Sequence, residues 1–202
     1  VDPSVQDIVD ELKRLPNVTM KNDYVSDEEM AEAFINADLT MSGCSRGGVK
    51  RLLFLYQHPG SFYGFILRHY EYHANSKGIL HRVLSLFWYW RKRQWSLNTG
   101  IQISKNCFDS GLQIPHWGLI VVNPKARIGK NCRIHAGVNI GEKDGKAPLI
   151  GDNVYIGPGV KIFGDITIGN NVTIGANAVV NHSFPDNVII AGVPAKILKY
   201  KT

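Results

Sequence analysis

The sequence predicts a mainly β protein, a solenoid of short repeats preceded by an α-helical N-terminal region. Three observations predict it. An aliphatic residue returns every six positions, at Ile128, Ile134 and Ile140 and again at Ile150, Ile156, Ile162, Ile168, Ile174 and Val180. A second column of small apolar residues follows four positions behind, at Cys132, Val138, Val154, Val160, Ile166, Val172 and Ala178. Ahead of about Ile101 the apolar residues recur at helical spacing instead. A period of six belongs to neither a helix nor an ordinary strand, and it marks units that bury their apolar faces only against their neighbours.

Composition narrows the classes. The 202 residues suffice for one domain or two modest ones, and 44% hydrophobic with 20% charged content reads as a soluble globular chain. Cys44, Cys107 and Cys132 are odd in number and form no CxxC pair, which argues against a disulfide scaffold or zinc finger and fits a reducing cytoplasm. The net charge of +6 hides a segregation. Residues 1–40 carry 3 Lys/Arg against 10 Asp/Glu, whereas residues 41–202 carry 20 against 7. A basic body suits anionic ligands such as phosphorylated cofactors, or an anionic membrane surface. No helix-turn-helix, zinc finger or aromatic nucleic-acid motif is present, so nucleic acid is not the expected partner. No signal peptide opens the sequence, and no run reaches the ~18 apolar residues of a membrane span.

Taken in order, Val5, Ile8, Val9, Leu12 and Leu15 predict a helix over 4–15 that Pro16 stops, and Val18-Thr19-Met20 a short strand. Ser26 to Glu29 has the spacing of a capping box and predicts a helix through Ala37. This acidic stretch, residues 1–40, reads as an appended segment. Its part from Leu15 to Thr40 resembles a fragment of glycosyltransferases with two facing Rossmann-like domains, and no activity is assigned to it. A Gly/Ser-rich linker over 42–48 leads into a helical region, 41–98, with helices near 49–56, 62–74 and 79–95 and a turn at His58-Pro59-Gly60. On the last of these helices Leu80, Val83, Leu84, Phe87 and Trp90 share one face. That face is expected to pack on the open end of the solenoid; the alternative is contact with a membrane interface through its basic and aromatic residues. His69 and His73 have i,i+4 spacing, but with no third ligand nearby they read as surface or packing residues and no metal is expected.

The solenoid is expected over 99–190, with a closing segment at 191–202. Phe108, Ile114 and Ile120 already keep the six-residue step as irregular early coils. The step then breaks twice: eight residues separate Ile120 from Ile128, and ten separate Ile140 from Ile150. The second break requires Glu142 to Pro148 to bulge out as a loop, and loops on a rigid scaffold are where function concentrates. The glycines behind the aliphatic column and Asn131, Asn153, Asn170, Asn171 and Asn177 suit corners that need tight or left-handed backbone.

The repeats IGDNVY, IGPGVK, IGNNVT and IGANAV, together with IPHWGLIVVN (114–123), RIHAGVNIG (133–141) and the closing AGVPAKI (191–197), resemble hexapeptide-repeat acyltransferases. Within that family the chain is similar to serine acetyltransferases and their relatives that acetylate bacterial surface glycans. The resemblance implies a left-handed parallel β-helix, homotrimers, and acetyl-coenzyme A held in grooves between neighbouring subunits. His116 matches the family's catalytic histidine by motif, and transfer of acetyl from a thioester to an alcohol needs such a base to remove the hydroxyl proton. His135, the second catalytic candidate, either assists by binding thioester or acceptor or only lines the coil surface. Gly137 and Gly141 are expected to let backbone approach the thioester. Gly141, Gly157, Pro158, Gly175, Ala176, Pro194 and Lys196 match positions that bind coenzyme A, with Lys196 meeting a phosphate.

The chain also departs from serine acetyltransferases. Pro115 stands where they carry an Asp before the catalytic histidine, Ile101 where they carry an Asp fifteen positions upstream, and Ala147 where a second histidine is expected in the loop. The expected acceptor is therefore a sugar hydroxyl in surface-polysaccharide biosynthesis, in the cytoplasm, with the inner face of the membrane as the alternative location. L-serine is the alternative, and a non-catalytic trimeric scaffold a third.

Overall fold

The computed structural model describes residues 25–44 and 48–201. The helix and strand expected before residue 21 lie outside the described residues.

Among the described residues four helices come first. Helix α1 is Glu28–Met41. Its cap is Asp27, whose carboxylate accepts from Met30 N at 2.8 Å, rather than the expected Ser26. Glu28 and Glu29 then sit at the positive end of the helix dipole. The boundary expected at residue 40 falls inside the last turn of this helix. Helices α2 (Val49–Gln57) and α3 (Pro59–Asn75) are separated by His58 alone. Pro59 can open α3 because the first turn of a helix needs no N–H there, so the expected three-residue turn shrinks to one. Helix α4 is Ile79–Thr99 and ends at Gly100, in left-handed conformation.

The packing of α4 differs from the expectation. Leu80, Val83, Phe87 and Trp90 are 50–64% exposed. The face that packs is turned about a quarter of the way round the helix and keeps only Leu84 of the expected set half-buried; through it α4 stacks Trp88 on His69 (ring centroids 4.5 Å apart) and sets Trp95 against Phe62 (4.6 Å). Aromatic contacts with α3 won over the aliphatic stripe.

After Gly100 the chain winds into a parallel β-solenoid of three sheets. The first holds β1 (Ile101–Ile103), β2 (Ile120–Val122), β5 (Asn139–Gly141), β8 (Lys161–Phe163) and β11 (Val179–Val180). The second holds β4 (Arg133–Ile134), β7 (Tyr155–Ile156), β10 (Thr173–Ile174), β12 (Val188–Gly192) and β13 (Ala195–Tyr200), of which only β13 runs antiparallel. The third holds β3 (Arg127–Ile128), β6 (Leu149–Ile150) and β9 (Thr167–Ile168). Every residue of the main aliphatic column is at most 2% exposed. At about 1.5–3 kcal/mol for each fully buried aliphatic side chain, this column dominates the cohesion of the stack.

Strand register explains the beat. Residues one coil apart are separated by 18 positions, as Val121 and Asn139 or Lys161 and Val179 show, so three hexads make one turn. Across the extruded loop the step becomes 22, as from Arg133 to Tyr155. The loop closes as a tight turn between Lys143 and Lys146, with Asp144 and Gly145 both at positive φ. Corner chemistry is divided between two residue types. Asn131, Asn153, Asn171, Asn177 and Asn187 take the left-handed backbone, whereas Asn170 does not and uses its side-chain oxygen to accept from Asp152 N. The glycines behind the column serve close approach: a Cβ on Gly151 would lie 2.6 Å from Asn170 Oδ1 and 2.9 Å from the Gly169 carbonyl carbon.

A buried ion network joins helices to solenoid. Arg68 on α3 donates to Asp38 of α1 (2.8 Å), to Glu71 (2.9 Å), and to the carbonyls of Phe108 (2.9 Å) and Asp109 (2.7 Å). Asp38 in turn accepts from Gly111 N and Leu112 N, each at 2.7 Å. Burial pulls the Arg68 pKa down, but the two carboxylates outweigh it and hold the guanidinium charged.

Candidate active site

Register decides which side chains share a corner. Ile134 pairs with Ile156, Ile156 with Ile174, and Ile174 with Ile190. The residues that follow them, His135, Gly157, Gly175 and Ala191, therefore stack in one column where the chain passes from the second sheet to the first. Backbone bonds fix it: His135 N donates to Ile156 O (3.2 Å), Gly157 N to Ile174 O (3.0 Å) and Gly175 N to Ile190 O (2.8 Å). Gly157 and Gly175 let successive coils approach closely, since a Cβ on Gly157 would lie 2.8 Å from Ile174 O and one on Gly175 2.8 Å from Ala191 Cβ, while Pro158 and Ala176 stand exposed beside them.

At the head of the column two imidazoles meet. The bridge between Gln113 and Arg133 sets the coil carrying His116 above that carrying His135. Gly118 makes this approach possible, because a Cβ there would lie 2.9 Å from Ala136 Cβ. The His116 and His135 ring centroids are 6.2 Å apart. His116 is exposed; His135 is buried, at 8%. Burial first, then the positive charge of Arg133 and the neighbouring His116, lowers the His135 pKa, so its ring is neutral at physiological pH. Its Nε2 is buried and has no hydrogen-bond partner among the described residues. Trp117 (56% exposed) and Leu119 (61%) flank His116 with apolar surface.

The remaining candidates divide. Lys196 on β13 stands across from Ala191, at the foot of the column, and Pro194 lies in the turn that brings β13 back. Gly141 is on the first sheet, where it lines a groove of roughly 800 Å³ between α4 and that sheet, together with Lys92, Asn123 and Asn139. Within one chain it is thus apart from the histidines. Gly137 does have positive φ, but its N–H donates to Leu119 O at 2.7 Å and is not free for a reacting oxygen. Ile101 is fully buried and pairs with Ile120, so that position is taken up by an apolar contact inside the first coil.

Two site residues were not singled out from sequence. Tyr155 packs its ring 5.1 Å from His135, and Arg133 places its guanidinium 5.9 Å from the Tyr155 ring. Their proximity follows from adding the four extruded residues to an 18-residue coil, which the ten-residue gap encodes. Among the described residues no three metal-ligating side chains gather. His69 stacks on Trp88, and His73 Nδ1 lies 3.0 Å from His81 Nδ1.

Comparison with known proteins agrees with this frame. The family described as bacterial transferase hexapeptide (six repeats) matches residues 147–182. A serine acetyltransferase from Staphylococcus xylosus is 40% identical over 107 residues, covering 51% of this chain and 47% of its own. The chain thus spans about half the length of the curated relatives it matches. Among solved structures, Neisseria gonorrhoeae serine acetyltransferase in complex with serine shares 26% identity at a TM-score of 0.67, over 84% of this chain and 69% of that one. The Brucella abortus enzyme in complex with coenzyme A shares 27% at 0.64, over 86% and 68%. The solenoid with its preceding helices is therefore the fold of serine acetyltransferases. None of these relatives is a glycan-acetylating enzyme.

Proposed function

We propose that the chain is an acetyl-coenzyme A-dependent O-acetyltransferase of the serine acetyltransferase type. One observation carries the reading: exposed His116 and buried His135, ring centroids 6.2 Å apart, stand at the head of a column of small residues that ends near Lys196. In this mechanism the acceptor hydroxyl oxygen attacks the thioester carbonyl carbon while His116 takes its proton. The carbon–sulfur bond breaks, and the proton passes from the imidazolium to the leaving thiolate, which returns His116 neutral. Buried and neutral, His135 offers its unpartnered Nε2 to the thioester or the acceptor. The pantetheine arm lies along Gly157 and Gly175, and Lys196 meets a coenzyme phosphate. The site is completed in a homotrimer, where a neighbouring copy covers Trp117 and Leu119.

L-serine is the acceptor that the relatives favour, since those compared are serine acetyltransferases and one holds serine. A sugar hydroxyl is the second reading. It is favoured by Pro115, by Ala147 and by the buried Ile101, which leave the acceptor side poorer in the carboxylate and imidazole groups expected of a serine enzyme. Thiol release from acetyl-coenzyme A, measured with L-serine and with a panel of sugars, decides between them. His116→Ala should lower kcat/KM by roughly 10²–10⁴-fold at unchanged circular dichroism. Turnover that survives this substitution would overturn the mechanism, and a stable monomer by light scattering would overturn the shared site.

A further inference from the structure

The helical region presents apolar surface that its own packing does not use. On α4, Ile79 (82% exposed), Val83 (58%), Leu86 (69%), Trp90 (53%) and Leu97 (71%) follow one another at helical spacing. They form a stripe about 27 Å long on the side opposite Trp88 and Trp95. On α2, Val49 (73%), Leu52 (68%), Leu53 (56%) and Tyr56 (87%) fall at i, i+3, i+4 and i+7 and make a second stripe. The two helices flank α3, where Phe65 lies 5.9 Å from the Arg51 guanidinium of α2 and 6.2 Å from the Trp88 ring of α4. A helix that is apolar on both faces has only one of them satisfied here.

Charge identifies what covers the other. Residues 39–108 contain ten Lys/Arg and a single acidic residue, Glu71, and that carboxylate is buried against Arg68. Exposed Arg82 and Arg93 border the α4 stripe, and exposed Lys50 borders the α2 stripe. No described carboxylate is within ion-pair distance of these three residues. A second copy docking face to face would set these cations against one another. A bilayer rich in anionic lipid would instead take the α4 stripe into its interface and Arg82 and Arg93 among its headgroups. No described helix is long and apolar enough to cross the membrane, so contact is limited to the surface.

We infer that the exposed α4 stripe is a docking surface for an anionic membrane. The test uses the full chain with vesicles of phosphatidylcholine alone or with 30% phosphatidylglycerol, read by co-sedimentation. Retention on the anionic vesicles at least tenfold above phosphatidylcholine, and falling as salt is raised from 50 to 500 mM, is expected. Val83→Asp with Leu86→Asp should abolish it, and Arg82→Glu with Arg93→Glu should reduce it severalfold, all at unchanged thermal midpoint. Equal binding to both vesicles, or none, would overturn the inference. So would light scattering that shows Val83→Asp splitting an oligomer while vesicle binding persists, since the stripe would then belong to a second copy. None of these readouts depends on acetyl transfer.

Discussion

At His135 a single nitrogen connects burial to acid sensitivity. An imidazole at 8% exposure resists the second proton, and the adjacent Arg133 and His116 add repulsion. His69, stacked on Trp88, is held by burial, then by His73 and Arg51, down to about 4, and burial also lowers His73 beside His81. For a base whose folded pKa is depressed, the folded state binds fewer protons than the unfolded chain. The stability these residues provide is thus complete above the unfolded value of about 6.5 and is lost as pH falls toward the folded values. The thermal midpoint should be flat from pH 8 to 7 and should fall between pH 6.5 and 4. His69→Phe keeps a ring on Trp88 without a titrating group, so it should shrink the fall measured by thermal scans over that range. An identical pH profile in the variant would show that His69 contributes nothing to it.

Among the elements, the loop after β5 is the clearest case of regularity interrupted for a purpose. Deleting residues 143–146 leaves three residues between Gly141 and Leu149, the same connection that Gly164 to Ile166 provides between β8 and β9. The bonds lost are an exposed Lys146–Asp165 ion pair, the exposed bond from Lys125 Nζ to Gly145 O (3.0 Å) and the turn's own bridge, and such surface pairs contribute ~0–1 kcal/mol. Urea unfolding of this deletion should therefore stay within about 1 kcal/mol of the parent, while turnover in the thiol-release assay is altered. A loss of several kcal/mol would show that the loop is structural. This loop was legible from Ile140 and Ile150 alone, because a fixed period converts any excess residue into an extrusion. The outward face of α4 was not legible. Trp88 and Trp95 on one side and Val83 and Trp90 on the other satisfy an apolar stripe equally well, and only the aromatic partners offered by α3 select between them. Asp27 taking the cap from Ser26 is a smaller instance, since either side chain can accept from the first turn.

Over the whole molecule the question is whether helices and solenoid form one cooperative unit. A solenoid alone is held by nearest-neighbour contacts, and its end coils would fray first. Here the first coil is clamped by Asp38, Arg68 and Glu71, which together bind the backbone at Asn106, Phe108, Asp109, Gly111 and Leu112. Every one of those bonds breaks if the helical region leaves, which strips the first coil's N–H groups and carbonyls of their charged partners. Sequence could not display this coupling: Asp38 sits in an acidic stretch, and Arg68 and Glu71 look like an ordinary i,i+3 surface pair until the fold buries them. Unfolding should accordingly be a single transition. Trp88, Trp90 and Trp95, three of the four tryptophans, lie on α4, so tryptophan fluorescence follows the helices while far-ultraviolet circular dichroism follows the coils as well. The two midpoints should coincide in the parent protein. Arg68→Ala, which leaves Asp38 and Glu71 buried without a counter-charge, should cost about 3–5 kcal/mol and separate the fluorescence transition to lower denaturant. Two transitions already present in the parent would show that the helical region and the solenoid unfold independently, with the ion network contributing orientation rather than cohesion.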